Sequence, residues 1–523
     1  MAGGLLNLVS GGTDTLVFGN PQKTYWVSTY KQITNFGLQN FRVDYEGLRQ
    51  LQVSSDTTYL FKIKRYAELL TDTYLSVQLP DIYSPLFVDE SLKIQPYEFQ
   101  WIKNLGAMMI RSVKFTIGGT LIQQLSGYDM VALANRDLSY SQKQKWNDMI
   151  GNIPELYAPG SRGAYPNATV SCGVSEPSIR GRELIIPIPI WWSMTSQQAF
   201  PLVSLQYNEL HIEIVLRPIR ELFQIRDITN LTGNTDSVIA PNMTIPDHQF
   251  YLFLQSPPEN GAYSTNTTWN ENTHLSCTYC FLSEEEAYKF ATNQQRYLVK
   301  EVYDTWFYGV SLTDKIWLHN STGLVPSWMI LFQRSDVQNR NEWSNFTNWP
   351  YGYLPSGITQ SKYTDSFGQP IYQSGPYAVE NIKDILLTLG IYFDGAIREE
   401  ERPVSMFKYE QQYLTIPGQG QLTLPGLYCY NYCLNTDPLQ LQPSGAINLT
   451  KYSKIEISFT TISPPLNPDS SPLVICDPLT GQQLGVNKST TNLYLYSFNV
   501  MVIEERYNIL SFVGGNAALM FAR

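Results

Sequence analysis

The residues best suited to binding a metal ion are one histidine and four cysteines in two short segments. His274, Cys277 and Cys280 lie close together, and Cys429 and Cys433 form a second pair. Zinc favours thiolate and imidazole ligands, and Cys-x-x-Cys is a common half-site, but a structural site normally needs a second half with similar spacing. On strands, Cys429 and Cys433 share a face whereas Cys277 and Cys280 point oppositely. We therefore favour buried cysteines that pack as small apolar side chains over a zinc site.

Groups suited to catalysis are sparse. The sequence has four histidines, no glycine-rich phosphate loop ending in Lys-Ser/Thr, and no Gly-x-Ser-x-Gly elbow. The acidic runs 284–286 and 399–401 could form paired acids. However, carboxylates at a helix start favour the helix dipole, and the run 399–401 is expected in a solvated loop. We expect no catalytic, cofactor-binding or metal-binding residues and no enzyme activity.

The segment 343–363 is rich in aromatic and amide side chains, including Trp349, Tyr351 and Tyr353. Aromatic faces flanked by amides can bind sugars, so a carbohydrate-binding or glycan-cleaving β-sandwich protein is the alternative function. We favour a loop that packs against neighbouring subunits, because Tyr and Trp are enriched at protein interfaces.

Composition indicates a large all-β protein with few charges. The 523 residues exceed what one core usually organises, so two domains are expected. Charged residues make up 16% and aromatic residues 13% of the chain, which suits half-buried strands and polar loops. The net charge of −10 and the absence of a Lys/Arg cluster argue against direct binding of nucleic acid.

Alternation of apolar and polar residues predicts short strands with one face in a core. The clearest runs are 75–79, 113–117, 210–214 and 455–459. Gly118-Gly119 predicts a hairpin with a primed turn.

Two helices interrupt this pattern. The first is expected over 141–150, before Gly151. The second is expected from the capping-box sequence Ser283–Glu286 to about Val302.

The divisions expected along the chain are an N-terminal arm (1–25), a first domain (26–225), a connector rich in Asn, Thr, Ser and Pro (226–272) and a second domain (273–523). The N-terminus has neither the basic start nor the apolar stretch of a secretory signal, and no run of 18 apolar residues occurs. With only six cysteines, we expect a protein made in the cytoplasm that is neither secreted nor membrane-spanning.

Several segments resemble, in order along nearly the whole chain, the major capsid proteins of nucleocytoplasmic large DNA viruses. A departure is Val9–Thr13, which replaces a stretch with Tyr and Gly. The matching segments are Gly3–Leu5, Phe18–Gln22, Thr34–Phe36, Trp101–Gly106, Ile117–Gly119, Met149–Asn152, Pro187–Trp192, Phe281–Glu285, Pro425–Tyr428 and Gln442–Gly445.

This resemblance implies two tandem eight-stranded jelly rolls, a double jelly roll with short helical insertions in its loops. It also implies a structural protein that assembles as homotrimeric, pseudo-hexagonal capsomers into the icosahedral shell of a virion. The implied partners are identical subunits, minor capsid proteins and an internal lipid membrane.

Glycans attached to the surface are also expected as partners. Sequons occur at eight asparagines, and a chain rich in Asn and Thr produces several by chance. They are Asn167, Asn230, Asn242, Asn266, Asn320, Asn345, Asn448 and Asn487.

Overall fold

The computed structural model is built from antiparallel strands arranged as two β-sandwiches. Within the described part of the chain, no helix is both long and apolar enough to cross a membrane. The structure describes residues 19–84, 97–160, 165, 170–171, 174–227, 238–256, 263–310, 312–348, 363–364, 370–371, 384–413, 415, 424–462, 474–476, 483–486 and 497–521.

The first sandwich has a five-stranded sheet in the order β1-β14-β3-β10, with β9 also pairing with β3, and a four-stranded sheet β2-β11-β5-β6. A three-stranded sheet β13-β12-β4 and the hairpin β7-β8 complete this half. The strands are β1 (Phe36–Val43), β2 (Thr57–Lys62), β3 (Leu69–Gln78), β4 (Tyr97–Trp101), β5 (Ile110–Ile117), β6 (Thr120–Leu125), β7 (Val170–Ser171), β8 (Val174–Ser175), β9 (Glu183–Pro187), β10 (Phe200–Pro201), β11 (Leu210–Leu216), β12 (Phe223–Asp227), β13 (Val238–Ile239) and β14 (His274–Leu282).

The second sandwich has a seven-stranded sheet, β23-β18-β28-β17-β24 with β15 and β29 also on β28, which faces a four-stranded sheet β16-β25-β21-β22. Its strands are β15 (Gln295–Val310), β16 (Thr313–Trp317), β17 (Leu324–Val325), β18 (Ser327–Arg334), β19 (Tyr363–Thr364), β20 (Pro370–Ile371), β21 (Leu386–Phe393), β22 (Ala396–Pro403), β23 (Leu427–Asn431), β24 (Ile447–Asn448), β25 (Ile455–Thr461), β26 (Val474–Cys476), β27 (Gln483–Val486), β28 (Phe498–Val513) and β29 (Asn516–Leu519).

The predicted alternating strands are confirmed. Three runs fall within β5, β11 and β25, and the run 75–79 lies in β3 except for its last residue. Strand β11 alternates between buried and half-buried positions along its whole length. The predicted hairpin joins β5 to β6, and Gly118 and Gly119 have φ values of 55° and 84°. Both values lie in the left-handed region, as a primed turn requires.

The helices are short and occupy connections. They are α1 (Leu105–Met109), α2 (Gly127–Asp137), α3 (Tyr140–Ile150), α4 (Pro154–Tyr157), α5 (Trp191–Met194), α6 (Glu284–Thr292) and α7 (Gln411–Tyr413).

The first predicted helix is confirmed as α3, which ends at Gly151 but is capped by Ser139 rather than beginning at Ser141. The second prediction was wrong in its extent. Helix α6 stops at Thr292 and the chain continues as β15, because residues 295–310 pair with the distant strand β28. Ser283 is the N-cap residue, but its side chain makes no capping hydrogen bond.

The strand β14 lies in the same sheet as β1 and β3 of the first sandwich. It pairs with β1 on one side and β3 on the other. Part of the expected connector also packs into this half. The ring centroids of Phe250 and Phe223 are 5.4 Å apart. The indole N–H of Trp269 donates to the carbonyl of Gln78 at 2.6 Å. Backbone pairing and aromatic burial therefore attach these residues to the first sandwich.

Two large clusters of buried side chains form the cores, and one sheet contributes to both. In β18, Trp328 and Ile330 face the core of the second sandwich, whereas Met329 and Leu331 join the cluster of the first. Neighbouring strands β23 and β28 divide their side chains in the same way. The interface between the sandwiches is therefore a continuation of the first core.

Candidate functional site

The four cysteines of the two candidate segments, Cys277, Cys280, Cys429 and Cys433, are buried. Burial raises the pKa of Cys277 and of Cys429 to about 12. Cys277 belongs to the large core of the first sandwich, whereas Cys280 packs in a separate cluster with Leu69. In the described ranges, no group of three or more His, Cys, Asp or Glu side chains is placed to hold a metal ion.

The two acidic runs lie in different elements. Glu284–Glu286 form the first turn of α6, as predicted. Glu399–Glu401 lie on the edge strand β22 rather than in a loop. There Glu399 accepts a hydrogen bond from the Tyr430 hydroxyl at 3.1 Å. Charged side chains on an edge strand discourage pairing with a further strand.

The aromatic segment is described only in its first part. The indole N–H of Trp343 donates to the carbonyl of Glu221 at 3.0 Å, and its ring lies under the guanidinium of Arg217. Trp343 thus connects the second half to the first. Trp349, Tyr351 and Tyr353 lie outside the described residues.

A buried ion cluster joins the two sandwiches. The guanidinium of Arg136, at the end of α2, donates two hydrogen bonds to Glu505 on β28, each 2.8 Å long. It donates two more to Asp137, at 2.7 and 2.8 Å, and one to the Ser327 hydroxyl at 2.8 Å. All five N–H groups of the guanidinium are therefore used.

The charges in this cluster shift the acidity of its carboxyl groups. Burial alone would raise the pKa of Glu505, but the positive charge of Arg136, with that of Lys300, lowers it. Burial dominates at Asp137 and raises its pKa despite Arg136. No sequence pattern predicts this cluster, because Arg136 and Glu505 are 369 positions apart.

A second buried carboxyl lies nearby in α2. Asp129 caps this helix by accepting hydrogen bonds from the backbone N–H and the hydroxyl of Ser126, both at 2.8 Å. Its other carboxyl oxygen has no partner among the described residues. Burial, and then the charge of Asp304 on β15, raises the pKa of Asp129 to about 8.

The most exposed apolar surface of the described chain is at its N-terminal side. Tyr25, Trp26 and Tyr30 have 93%, 94% and 89% of their surface accessible, and Phe36 and Leu38 on β1 are also exposed. Within the described residues, β1 pairs with β14 alone, so its other edge is unpaired. We call residues 19–38 the N-terminal segment. Exposed apolar patches of this kind mark interaction sites.

Comparison with known proteins shows what the chain is similar to. Residues 24–255 match the family described as major capsid protein N-terminus. The chain is 26% identical over 420 residues to the major capsid protein of Chrysochromulina ericina virus, covering 72% of this chain and 68% of that protein. It is 22% identical to the major capsid protein of Paramecium bursaria Chlorella virus 1 over the full length of both.

The chain is thus similar to the major capsid proteins of nucleocytoplasmic large DNA viruses over its whole length, and the family model matches its first half. Two solved structures have the same fold. A chain of the PBCV-1 virus capsid aligns with a TM-score of 0.62 at 17% identity, covering 96% of this chain and all of the other. The Faustovirus major capsid protein aligns at 0.60 and 12% identity, covering 94% and 93%. The predicted double jelly roll is confirmed.

Five of the eight sequons of the chain lie in the described residues. Asn242, Asn266 and Asn320 are exposed, whereas Asn345 and Asn448 are half-buried. The amide of Asn345 donates to Glu342 at 2.9 Å, which occupies the nitrogen that a glycan would modify. Asn167, Asn230 and Asn487 lie outside the described residues.

Proposed function

We propose that this protein is a structural major capsid protein that assembles as a homotrimer of pseudo-hexagonal outline, and that these capsomers cover the icosahedral shell of a large double-stranded DNA virus. The observation that supports this proposal is the shared buried sheet between the two sandwiches. Because β18, β23 and β28 contribute to both cores, each chain presents two similar blocks in a fixed relation. Three such chains supply six blocks, which is the number that a nearly hexagonal outline needs.

We place the domain boundaries from the strand pairing. The first jelly roll extends from about residue 26 through β14, and the second begins after α6, at β15. Residues 1–25 form the arm, and most of 226–272 is an extension of the first jelly roll instead of a free connector. The support is the pairing of β14 with β1 and β3, together with the burial of Phe250 and Trp269.

We propose that the arm and the exposed N-terminal segment contact a neighbouring subunit at the base of the capsomer. Tyr25, Trp26 and Tyr30 offer aromatic side chains to a partner, and the free edge of β1 offers backbone groups. Permanent subunit interfaces bury roughly 2,000–5,000 Å² with apolar centres. Removing residues 2–24 should leave both sandwiches folded and impair trimers or shells.

The test is the mass of the purified protein by light scattering after size exclusion. The expected result is three chains of 59.6 kDa each. Replacing Tyr25, Trp26 and Tyr30 by Ser should shift the population toward single chains, with the far-ultraviolet circular dichroism unchanged. The control is Tyr288→Ser, at an exposed position of α6. A wild-type chain that stays monomeric at high concentration would refute the trimer.

The remaining partners follow from the same assignment. We propose contacts with minor capsid proteins and with an internal lipid membrane, synthesis in the host cytoplasm, and glycans at exposed sequons such as Asn242. We propose no direct contact with the genome, in keeping with the net charge of −10. We also propose no enzymatic activity. Saturable glycan binding by a monomeric protein would instead favour the alternative of a carbohydrate-binding or glycan-cleaving protein.

A further inference from the structure

A cavity of about 190 Å³ lies between the two jelly rolls. Helices α2, α3 and α5 and strand β6 line it from the first jelly roll, and β15, β28 and the loop at 438–441 line it from the second. Gln440 in that loop is exposed to solvent and also lines the cavity, so a small molecule can enter there. An engineered apolar cavity of about 150 Å³ is large enough to bind benzene.

The walls of this cavity are mainly apolar. Met130 and Leu133 on α2, Trp146 on α3, and Leu298 and Val302 on β15 all line it. A cavity with such walls favours a ligand with an apolar body, because the transfer of apolar surface from water into an apolar environment is favourable.

Two buried polar groups in the walls lack partners. The indole N–H of Trp191 and the side-chain carbonyl of Gln123 have no hydrogen-bond partner among the described residues. Both residues line the cavity, and both are at least 95% buried. A buried donor or acceptor without a partner is destabilising. The neighbouring Trp192 differs, since its indole N–H donates to the Thr73 hydroxyl at 3.2 Å.

The charged side chains at one end of the cavity are already paired. Asp137 and Glu505 are bound by Arg136, and the ammonium of Lys300 donates to the carbonyl of Thr436 at 3.3 Å. A charged ligand would find no free counter-charge among these groups, so the site favours a neutral molecule.

We propose that this cavity binds a small neutral molecule with an apolar body and a hydroxyl group, of the phenol or alcohol class. A hydroxyl both accepts and donates, so it can pair with the Trp191 N–H or with the Gln123 side chain, whichever way that amide is oriented. Because both jelly rolls form the walls, the bound molecule stabilises their packing against each other. This function is separate from shell assembly and does not depend on it.

The probe is 4-ethylphenol, and the comparison compound is ethylbenzene, which lacks the hydroxyl group. Titration of the full chain by calorimetry should give saturable binding of 4-ethylphenol, and the Tm should increase with the logarithm of its concentration above the Kd. Ethylbenzene should bind roughly tenfold more weakly, the loss expected for one hydrogen bond. If neither compound binds, the cavity holds at most water and the proposal is refuted.

Three variants locate the site. Ala134→Leu places extra carbons at a position that lines the cavity and should abolish binding. Trp191→Phe should remove most of the preference for 4-ethylphenol over ethylbenzene, whereas the matched control Trp192→Phe should retain it. Unchanged binding to Ala134→Leu would refute the site. If Ala134→Leu does not fold, equal preferences in the two tryptophan variants would refute it.

Discussion

Replacing Arg136 by Met tests how the two jelly rolls are held together. The guanidinium is 0% exposed and its five hydrogen bonds reach Asp137, Glu505 and Ser327. Met fills a similar volume but leaves two buried carboxyl groups without their counter-charge. Removing one partner from a buried ion pair costs about 3–5 kcal/mol. We therefore expect the free energy of unfolding to fall by about that amount at neutral pH.

The loss should depend on pH. Without Arg136, burial raises the pKa of both Glu505 and Asp137, so the folded state holds protons that the unfolded state releases. A group whose pKa is raised by folding gives stability that is lost as pH increases through the folded pKa. The difference between Arg136→Met and the wild type should thus be smaller at pH 5 than at pH 8.

The measurement is urea unfolding at both pH values, with the midpoint and slope converted to a free energy. The matched control is Arg402→Met, because Arg402 is 53% exposed and its pair with Glu399 is 3.5 Å long. Exposed pairs contribute roughly 0–1 kcal/mol. The combination of Arg136→Met with Glu505→Met should recover part of the loss, since it removes one unpaired charge. If Arg136→Met loses no more than Arg402→Met, the cluster does not hold the interface.

Three further results are expected. Asp129→Asn should reduce the loss of stability that occurs between pH 5 and pH 9. The pKa of Asp129 is raised to about 8, so the wild-type protein loses stability as pH increases through that value. If the urea midpoint changes with pH equally in the variant and the wild type, this prediction is contradicted. Gly426→Ala should destabilise the protein by about 1–3 kcal/mol more than Gly395→Ala. Both glycines have φ near +85°, but only at Gly426 would the new Cβ lie 2.1 Å from the carbonyl oxygen of Phe346. Equal losses of stability in thermal unfolding would contradict this prediction. Iodoacetamide should modify Cys277 and Cys429 on the order of a thousandfold more slowly than free cysteine at pH 8. The reason is that burial raises the pKa of both thiols to about 12. Peptide mass spectrometry that finds rapid modification of these cysteines in the folded protein would contradict their burial.

The sequence predicted elements whose two faces differ and missed those whose faces are alike. Strand β11 alternates because one face is buried and the other is partly wet, so its period of two is visible. Strand β18 is buried at all eight positions and has no such alternation. The segment 295–310 was predicted as helix up to about Val302, because local capping signals cannot reveal a partner strand more than 180 residues away.

The candidate sites divide in the same way. Burial of Cys277, Cys280 and Cys429 was predictable from residue type and spacing, because they lie on the apolar strands β14 and β23. The cluster around Arg136 was not predictable, since its partners come from α2, β18 and β28. The cavity also could not be predicted, because Trp191 and Leu298 reach the same space from different jelly rolls. Long-range pairing, rather than local propensity, forms both.

The sheet with β18 and β28 at its centre explains why one chain can act as two fixed blocks. Domains within a chain usually move relative to each other unless their interface is large and hydrophobic. Here Met329, Leu331, Met501 and Ile503 belong to the same buried cluster as the first jelly roll. Separating the jelly rolls would therefore expose these side chains to water as well as break the pairs of Arg136. In the homotrimer proposed above, only the contacts between chains remain to be formed, because the two jelly rolls of each chain are already joined by a buried contact.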